Sequence, residues 1–192
     1  MSEIYLVAQH HFLIEECDDK TLRQSLKAAG VDARRLSRFT QLALLGALPL
    51  QSALMPNSPI YLGGKFSSPS KFNKMFAQLN EQDLPSPLDF MANLNNSATF
   101  QLTQALQTTG ATLFLAIDTE TLLQPLQLAQ LELNQTEPAT ALVGWAFEHP
   151  DQNGQQGSYW LVLSNRPQEK AIPLAQGKTA LTQSLHNLFQ IV

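Results

Sequence analysis

Apolar positions fall into helical spacing or short unbroken runs along most of this chain, and the most regular stretch is Ala92–Leu133. Ala98, Leu102, Ala105 and Leu106 share one face of a predicted helix, with Gly110 as its terminator. The run Ala111–Ile117 is apolar on both faces, too short to cross a bilayer and bounded by turn residues, which suits a strand buried inside a sheet. Asp118 and Thr119 can cap a helix that follows at once, with Leu122, Leu123, Leu126 and Leu133 as its stripe. Helix, strand and helix in close succession point to an α/β fold.

The same patterning extends to both sides. A strand is predicted at Ile4–Val7, with an extension through Phe12 to Ile14 as the longer alternative. A helix fits Asp19–Ala29, with Leu22 and Leu26 inward and Gly30 as its stop. Leu36, Phe39, Leu42, Ala43 and Leu50 give the next helix an apolar face, and Pro49 marks its end. A short strand, Ile60–Leu62, leads to Gly63-Gly64 and then to a helix capped by Ser70, with Phe72, Met75, Phe76 and Leu79 on one side. The segment LPSPLDF reads as a proline-punctuated connection. After Pro138, strands at Thr140–His149 and Ser158–Leu163 flank an Asn153-Gly154 turn, so they are expected to pair antiparallel. Leu181, Leu185, Leu188 and Phe189 make Lys178–Phe189 a closing amphipathic helix.

Composition narrows the class. With 192 residues, 44% hydrophobic and 15% charged, the chain can bury a proper core and is expected to form one domain, 1–192. No apolar run reaches the length of a membrane span, and the N-terminus has neither a basic region nor a small-residue cleavage site, so a cytoplasmic location is expected. The single cysteine, Cys17, excludes a disulfide framework and a cysteine metal site, and its acidic neighbours work against a thiolate.

Charge is unevenly spread. Through Lys74 there are nine bases against six acids, a balance of +3, and the net charge of −4 leaves −7 for the remainder. A basic N-terminal portion suits an acidic partner. Nucleic acid is disfavoured, because neither a dense Lys/Arg stripe nor interleaved aromatics are present.

Candidate chemistry is sparse. Gly63-Gly64-Lys65-Phe66-Ser67 lacks the glycine spacing of a phosphate loop. His10 and His11 point to opposite faces of a strand and have no ligand partners at suitable spacing, so no metal and no cofactor are expected. His149 and His186 have no nucleophile nearby in sequence. The strand-to-helix elbow is where many α/β enzymes hold a nucleophile, because a helix N-terminus stabilises a developing anion. Here it reads Ile117-Asp118-Thr119-Glu120-Thr121, with no cysteine or serine.

Three stretches carry a family resemblance. Arg34–Leu44, RRLSRFTQLAL, looks like the R-x-s-R-f-t-q-l-A-l helix of β-ketoacyl-acyl carrier protein synthases; Leu94-Asn95-Asn96-Ser97-Ala98 resembles their v-h-N-a-a-a helix. Gly110–Leu115 resembles the G-p-n-l-t-v strand that leads to their active-site cysteine, and the order and spacing of all three match. The resemblance implies an α/β fold of thiolase type, one half with a central mixed sheet covered by helices. It covers the N-terminal half of a full synthase, so the catalytic histidines, which belong to the other half, are expected to be missing.

The resemblance also sets the expected site and partners. The nucleophilic cysteine falls near Thr119, with Asp118 and Glu120 as neighbours, and none of these is a thiolate. Pro125 stands early in the following helix and is expected to displace or kink its start. Synthases of this family dimerise on the strand and helix corresponding to Ala111–Ile117 and Asn95–Leu106, which implicates Asn95, Leu102, Leu113, Phe114 and Leu115 as interface. Some pair a working subunit with a degenerate chain-length factor that shapes the acyl tunnel. The leading expectation is therefore an inactive subunit paired with a full-length β-ketoacyl synthase in bacterial fatty-acid, aryl-polyene or polyketide-type biosynthesis. The alternatives are an acyl thioester hydrolase or transferase using Thr119, Asp118 or Glu120 as a desolvated base, and a homodimeric module that binds acyl carrier protein.

Overall fold

The structure, a computed structural model, describes residues 3–84, 86–135, 139–149 and 155–190. In chain order the elements are β1 (Tyr5–Ile14), α1 (Asp19–Ala28), α2 (Arg38–Ala47), a 3-10 turn (Leu48–Ala53), β2 (Ile60–Gly64), α3 (Pro69–Gln82), α4 (Pro87–Ala92), α5 (Ser97–Leu106), β3 (Thr112–Ala116), α6 (Gln124–Gln135), β4 (Thr140–Phe147), β5 (Gln156–Ser164), β6 (Ile172–Pro173) and α7 (Leu174–Gln190). The strands form one mixed sheet in the order β3-β2-β4-β5-β1-β6. β2 runs parallel to both β3 and β4, whereas β5 is antiparallel to β4 and β1. The expected antiparallel pairing of the last two long strands is present, and the longer alternative for the first strand is the one adopted. The Asn153-Gly154 turn and Pro138 lie outside the described residues.

Helices cover both faces. On one side Leu26 of α1, Phe39, Ala43 and Ala47 of α2, and Ala98, Leu102 and Leu106 of α5 pack on Leu62, Leu142, Trp160 and Phe114. On the other, Leu126 and Ala129 of α6 and Leu174, Leu181 and Leu185 of α7 pack on Tyr61, Val143, Trp145 and Leu161. β4 is buried at every position because strands flank it and helices sit above and below. Trp160, fully buried, lies against Gly144 on the neighbouring strand, and a Cβ at Gly144 would overlap the indole.

Several expectations change. Gly110 is not the left-handed terminator of α5; Gln107 holds that conformation, with φ 57°. Gly110 instead lies so close to the Ser58 backbone that a side chain would collide with it. α3 starts at Pro69 with Ser68 before it, not Ser70, and its Phe72, Phe76 and Leu79 face solvent. The LPSPLDF connection contains α4, whose first turn is closed by Ser86 accepting from the Asp89 backbone N–H at 3.2 Å. Asp89 then receives Lys71 Nζ at 2.9 Å and Lys74 Nζ at 3.4 Å, tying α4 to α3. The closing helix begins at Leu174, well before Lys178. Among the described residues no helix is long and apolar enough to cross a membrane.

Candidate functional site

The parallel strands β2 and β3 end side by side, and the chain leaves both at the same edge of the sheet. That edge carries a groove of about 690 Å³, with Phe66, Phe72 and Phe114 as apolar wall and Ser67, Asn93 and Asn95 as polar rim. Phe66 and Phe72 are exposed, and Phe72 stacks on Phe76 at 5.7 Å between ring centres. Ligand grooves at the carboxyl ends of parallel strands are a general property of α/β sheets.

The elbow after β3 is a turn, not a helix start. Pro125 is tolerated only within the first turn of a helix, and α6 accordingly starts at Gln124. Residues 118–123 form an irregular bridge, anchored where Trp145 Nε1 donates to the Leu122 carbonyl at 2.7 Å. The Asp118 carboxylate closes the turn by accepting from the backbone N–H groups of Glu120 at 2.9 Å and Thr121 at 2.8 Å, and from the Thr121 hydroxyl at 2.7 Å. Those bonds, the Thr121 hydroxyl foremost, hold its carboxyl below the ordinary range. Asp118, Thr119 and Glu120 are all exposed and none lines the groove. The desolvated carboxylate that the hydrolase alternative needs is therefore not formed here, because the chain supplies hydrogen bonds and water instead of burial.

The interface expectation divides. Leu102 is fully buried, and Phe114, 8% exposed, meets Phe39 edge-on at 6.0 Å, so both pack in this chain's own core, with Phe114 also reaching the groove wall. Asn95 and Leu113 are exposed and Leu115 is partly so. The apolar character of both faces of β3 follows from its neighbours: Phe114 packs on the α2 and α5 side, Leu115 on the α6 side. What is open is the edge, since β3 is the outermost strand. The Phe114 N–H points outward there and is met by Asn96 Oδ1 at 3.0 Å.

Besides Asp89, two further charged side chains are buried among the described residues. Arg38 is 2% exposed, and its guanidinium is satisfied by Gln156 Oε1 at 2.8 Å, Asp19 Oδ1 at 2.6 Å and the Cys17 carbonyl at 2.6 Å. Glu148, 4% exposed, accepts from the backbone N–H of Phe39 at 2.9 Å and of Ser70 at 3.3 Å, so one carboxylate joins the N-termini of α2 and α3. Burial pushes the Glu148 carboxyl up, against those hydrogen bonds and the nearby Arg38. The available signals were a base in the first turn of α2, where the helix dipole disfavours it, and a charge directly after the apolar run of β4. His10 Nδ1–H donates to the Gly46 carbonyl at 2.9 Å, and His11 stacks on Tyr159 from the opposite face. No cluster of three or more metal-ligating side chains occurs among the described residues.

No family model and no curated protein sequence matches the chain. Solved structures do. A ketosynthase, ApeO, in complex with its chain length factor, ApeC, from Xenorhabdus doucetiae superposes with a TM-score of 0.64 at 16% identity, over 84% of this chain and 79% of that one. The complex AntDE:AntF, a type II polyketide synthase acyl carrier protein with its ketosynthase, gives 0.68 at 14%, over 86% of this chain. The ishigamide ketosynthase/chain length factor gives 0.63 at 13%, over 90%. The match spans 63% and 64% of those last two chains, less than two thirds of their length. Identities this low speak to architecture alone, and on that ground this chain has the thiolase-type α/β fold of ketosynthases and chain length factors.

Proposed function

We propose that this chain, folding as one domain in the cytoplasm, is an inactive ketosynthase-like subunit that pairs with a full-length β-ketoacyl synthase in fatty-acid, aryl-polyene or polyketide-type biosynthesis. The observation that carries the reading is the distribution of exposed apolar side chains. Of fourteen large hydrophobics exposed among the described residues, eleven lie between Phe66 and Leu113. Six of them line two grooves, Phe66 and Phe72 the one, Leu88, Met91, Leu94 and Phe100 the other. Exposed apolar side chains gathered near an open sheet edge support a partner surface.

The chemistry agrees. The place of the nucleophile is held by Asp118, Thr119 and Glu120 in water, so acyl transfer would depend on the partner's cysteine, while this chain contributes groove wall and contact area. Asn95, Leu113 and Leu115 are the interface residues of β3 and the α5 approach. An acyl carrier protein would then deliver substrate to the pair.

Co-expression with a full-length synthase tests this. A single heterodimer peak on size exclusion is expected, with no thioester turnover by this chain alone. Two separate peaks well above micromolar concentration would overturn the pairing, and turnover abolished by Thr119→Ala or Glu120→Gln would restore the enzyme reading. A stable peak of twice the chain mass without partner would make the assembly a homodimer.

A further inference from the structure

The sheet has a second free edge. On its inner side β1 pairs with β5, Ala8–Ile14 in unbroken register after an irregularity between Leu6 and Ala8, whereas on its outer side β6 covers Tyr5 and Leu6 alone. Ala8–Ile14, about 23 Å of strand, therefore turns a row of backbone N–H and C=O groups outward without a neighbouring strand. Among the described residues no backbone hydrogen bond from a loop or helix closes that side. The opposite edge differs, since on β3 the Phe114 N–H is met by Asn96 Oδ1.

Edge strands are commonly guarded by lysines, prolines, inward charges or bulges. Here the one irregularity lies before Ala8, and the run Ile4–Ile14, IYLVAQHHFLI, contains no Lys, Arg, Asp, Glu, Pro or Gly. Gln9 and His11 are exposed, and the other residues of β1 are half-buried. Both faces are braced: His10 Nδ1 lies 2.9 Å from the Gly46 carbonyl of α2, while on the other side Gln9 accepts from the Tyr159 hydroxyl at 2.8 Å and His11 stacks on the Tyr159 ring. The strand is held in place and its edge is left free. Acids follow at once, for Glu15 and Glu16 are exposed, and among the described residues no basic side chain lies within 4.0 Å of either.

We propose that the outer edge of β1 takes up an extended segment of a partner protein as an added antiparallel strand, with basic residues at the N-terminal end of that segment. Antiparallel pairing repeats what β1 already does with β5 and is the more stable kind. It sets the N-terminal end of the incoming strand beside Glu15 and Glu16, where Lys or Arg would be matched. Backbone hydrogen bonds supply affinity, and the two faces of β1 set the alternation of the segment. Apolar side chains suit the α2 side, next to Ala8 and Phe12, and polar ones the side of Gln9 and His11. A second copy of β1 fits less well, since residues 1–14 hold no Lys or Arg to place opposite Glu15 and Glu16. β1 and β3 lie towards opposite ends of the sheet, so the inference stands whether or not the synthase pairing does.

The test uses the full chain and a fluorescein-labelled peptide of two lysines followed by three threonine–valine repeats, read by anisotropy and by hydrogen exchange of the complex. Binding is expected, with amides of β1 slowed about tenfold or more and those from α3 to β3 unchanged. N-methylating one alternate set of amides in the repeats should weaken binding about tenfold or more, whereas methylating the other set should leave it, because one edge of an added strand faces β1. Glu15→Gln/Glu16→Gln should weaken it about threefold, and Glu81→Gln on α3 should leave it unchanged. Equal effects of the two methylated sets, no protection of β1, no binding at millimolar peptide, or equal affinity for the peptide with glutamates in place of lysines would each overturn the proposal. So would a species of twice the chain mass that is protected at β1 without any peptide, since a second copy would then hold the edge.

Discussion

A carboxylate placed between two helix N-termini gains hydrogen bonds and dipole stabilisation, yet Glu148 is so buried that desolvation outweighs them and its pKa is raised. A raised folded-state pKa means that the folded chain binds this proton more tightly than the unfolded one. Its favourable contribution is thus complete below the ordinary value of 4.5 and is lost as pH rises through the folded value. Glu148→Gln should remove that loss, so the melting temperature of the parent is expected to fall relative to the variant as pH climbs from about 4.5 towards neutrality. Parallel curves would show that Glu148 stays charged in the folded chain. Asp118 and Asp32 act in the opposite window. Both carboxyls are lowered, Asp32 to about 2 by its Arg34 partner, so their contribution is present above the ordinary 3.8 and disappears only in stronger acid. A steric counterpart is Gly144→Ala, which drives a methyl into Trp160 and is expected to cost about 1–3 kcal/mol in a denaturant melt.

Among the elements, β3 shows how far a sequence pattern reaches. An apolar run from Ala111 to Ile117 correctly marks a strand in contact with both layers, but it cannot tell a central strand from an outer one, because helices above and below bury side chains without covering the edge. The helix at Ser97–Leu106 was legible from Ala98, Leu102 and Leu106, whereas α4 was hidden by its proline-punctuated sequence, in which Pro87 turns out to open the first turn. The candidate site was legible as a place and not as an environment. Local order puts Asp118 at the elbow, while its exposure depends on Pro125 delaying α6 and on Trp145 pinning Leu122. Glu148 was out of reach altogether, since its partners Phe39 and Ser70 are distant in sequence. The same geometry separates two substitutions one residue apart. Phe114→Asp buries an unpaired charge against Phe39 and should unfold the chain, at a cost of several kcal/mol. Leu113→Asp, at a position 41% exposed, should shift the isolated chain's stability by no more than about 0.5 kcal/mol and yet abolish pairing with a synthase. Retention of the heterodimer by folded Leu113→Asp would place the contact elsewhere.

For the molecule as a whole, exposed apolar side chains gather between α3 and β3, and Arg34, Arg35, Lys71 and Lys74 border the same groove as Leu88, Met91, Leu94 and Phe100. The region from α3 to β3 leaves Phe72, Phe76, Phe90, Met91 and Phe100 at 50–61% exposure, far more apolar contact than folding alone requires. A stable interface buries about 800 Å² on each partner. Asn96 already occupies the central outward N–H of β3, so sheet-edge hydrogen bonding there is partial and side-chain burial must supply much of the contact. Hydrogen exchange distinguishes the regions directly. On forming the complex, amides of α3, α4 and the N-terminal turn of α5 should slow by about tenfold or more, as local opening is suppressed by the bound partner, while those of α1 keep their rates. Protection confined to α7 and β6 would put the partner on the opposite edge of the sheet and exclude the α3 to β3 surface.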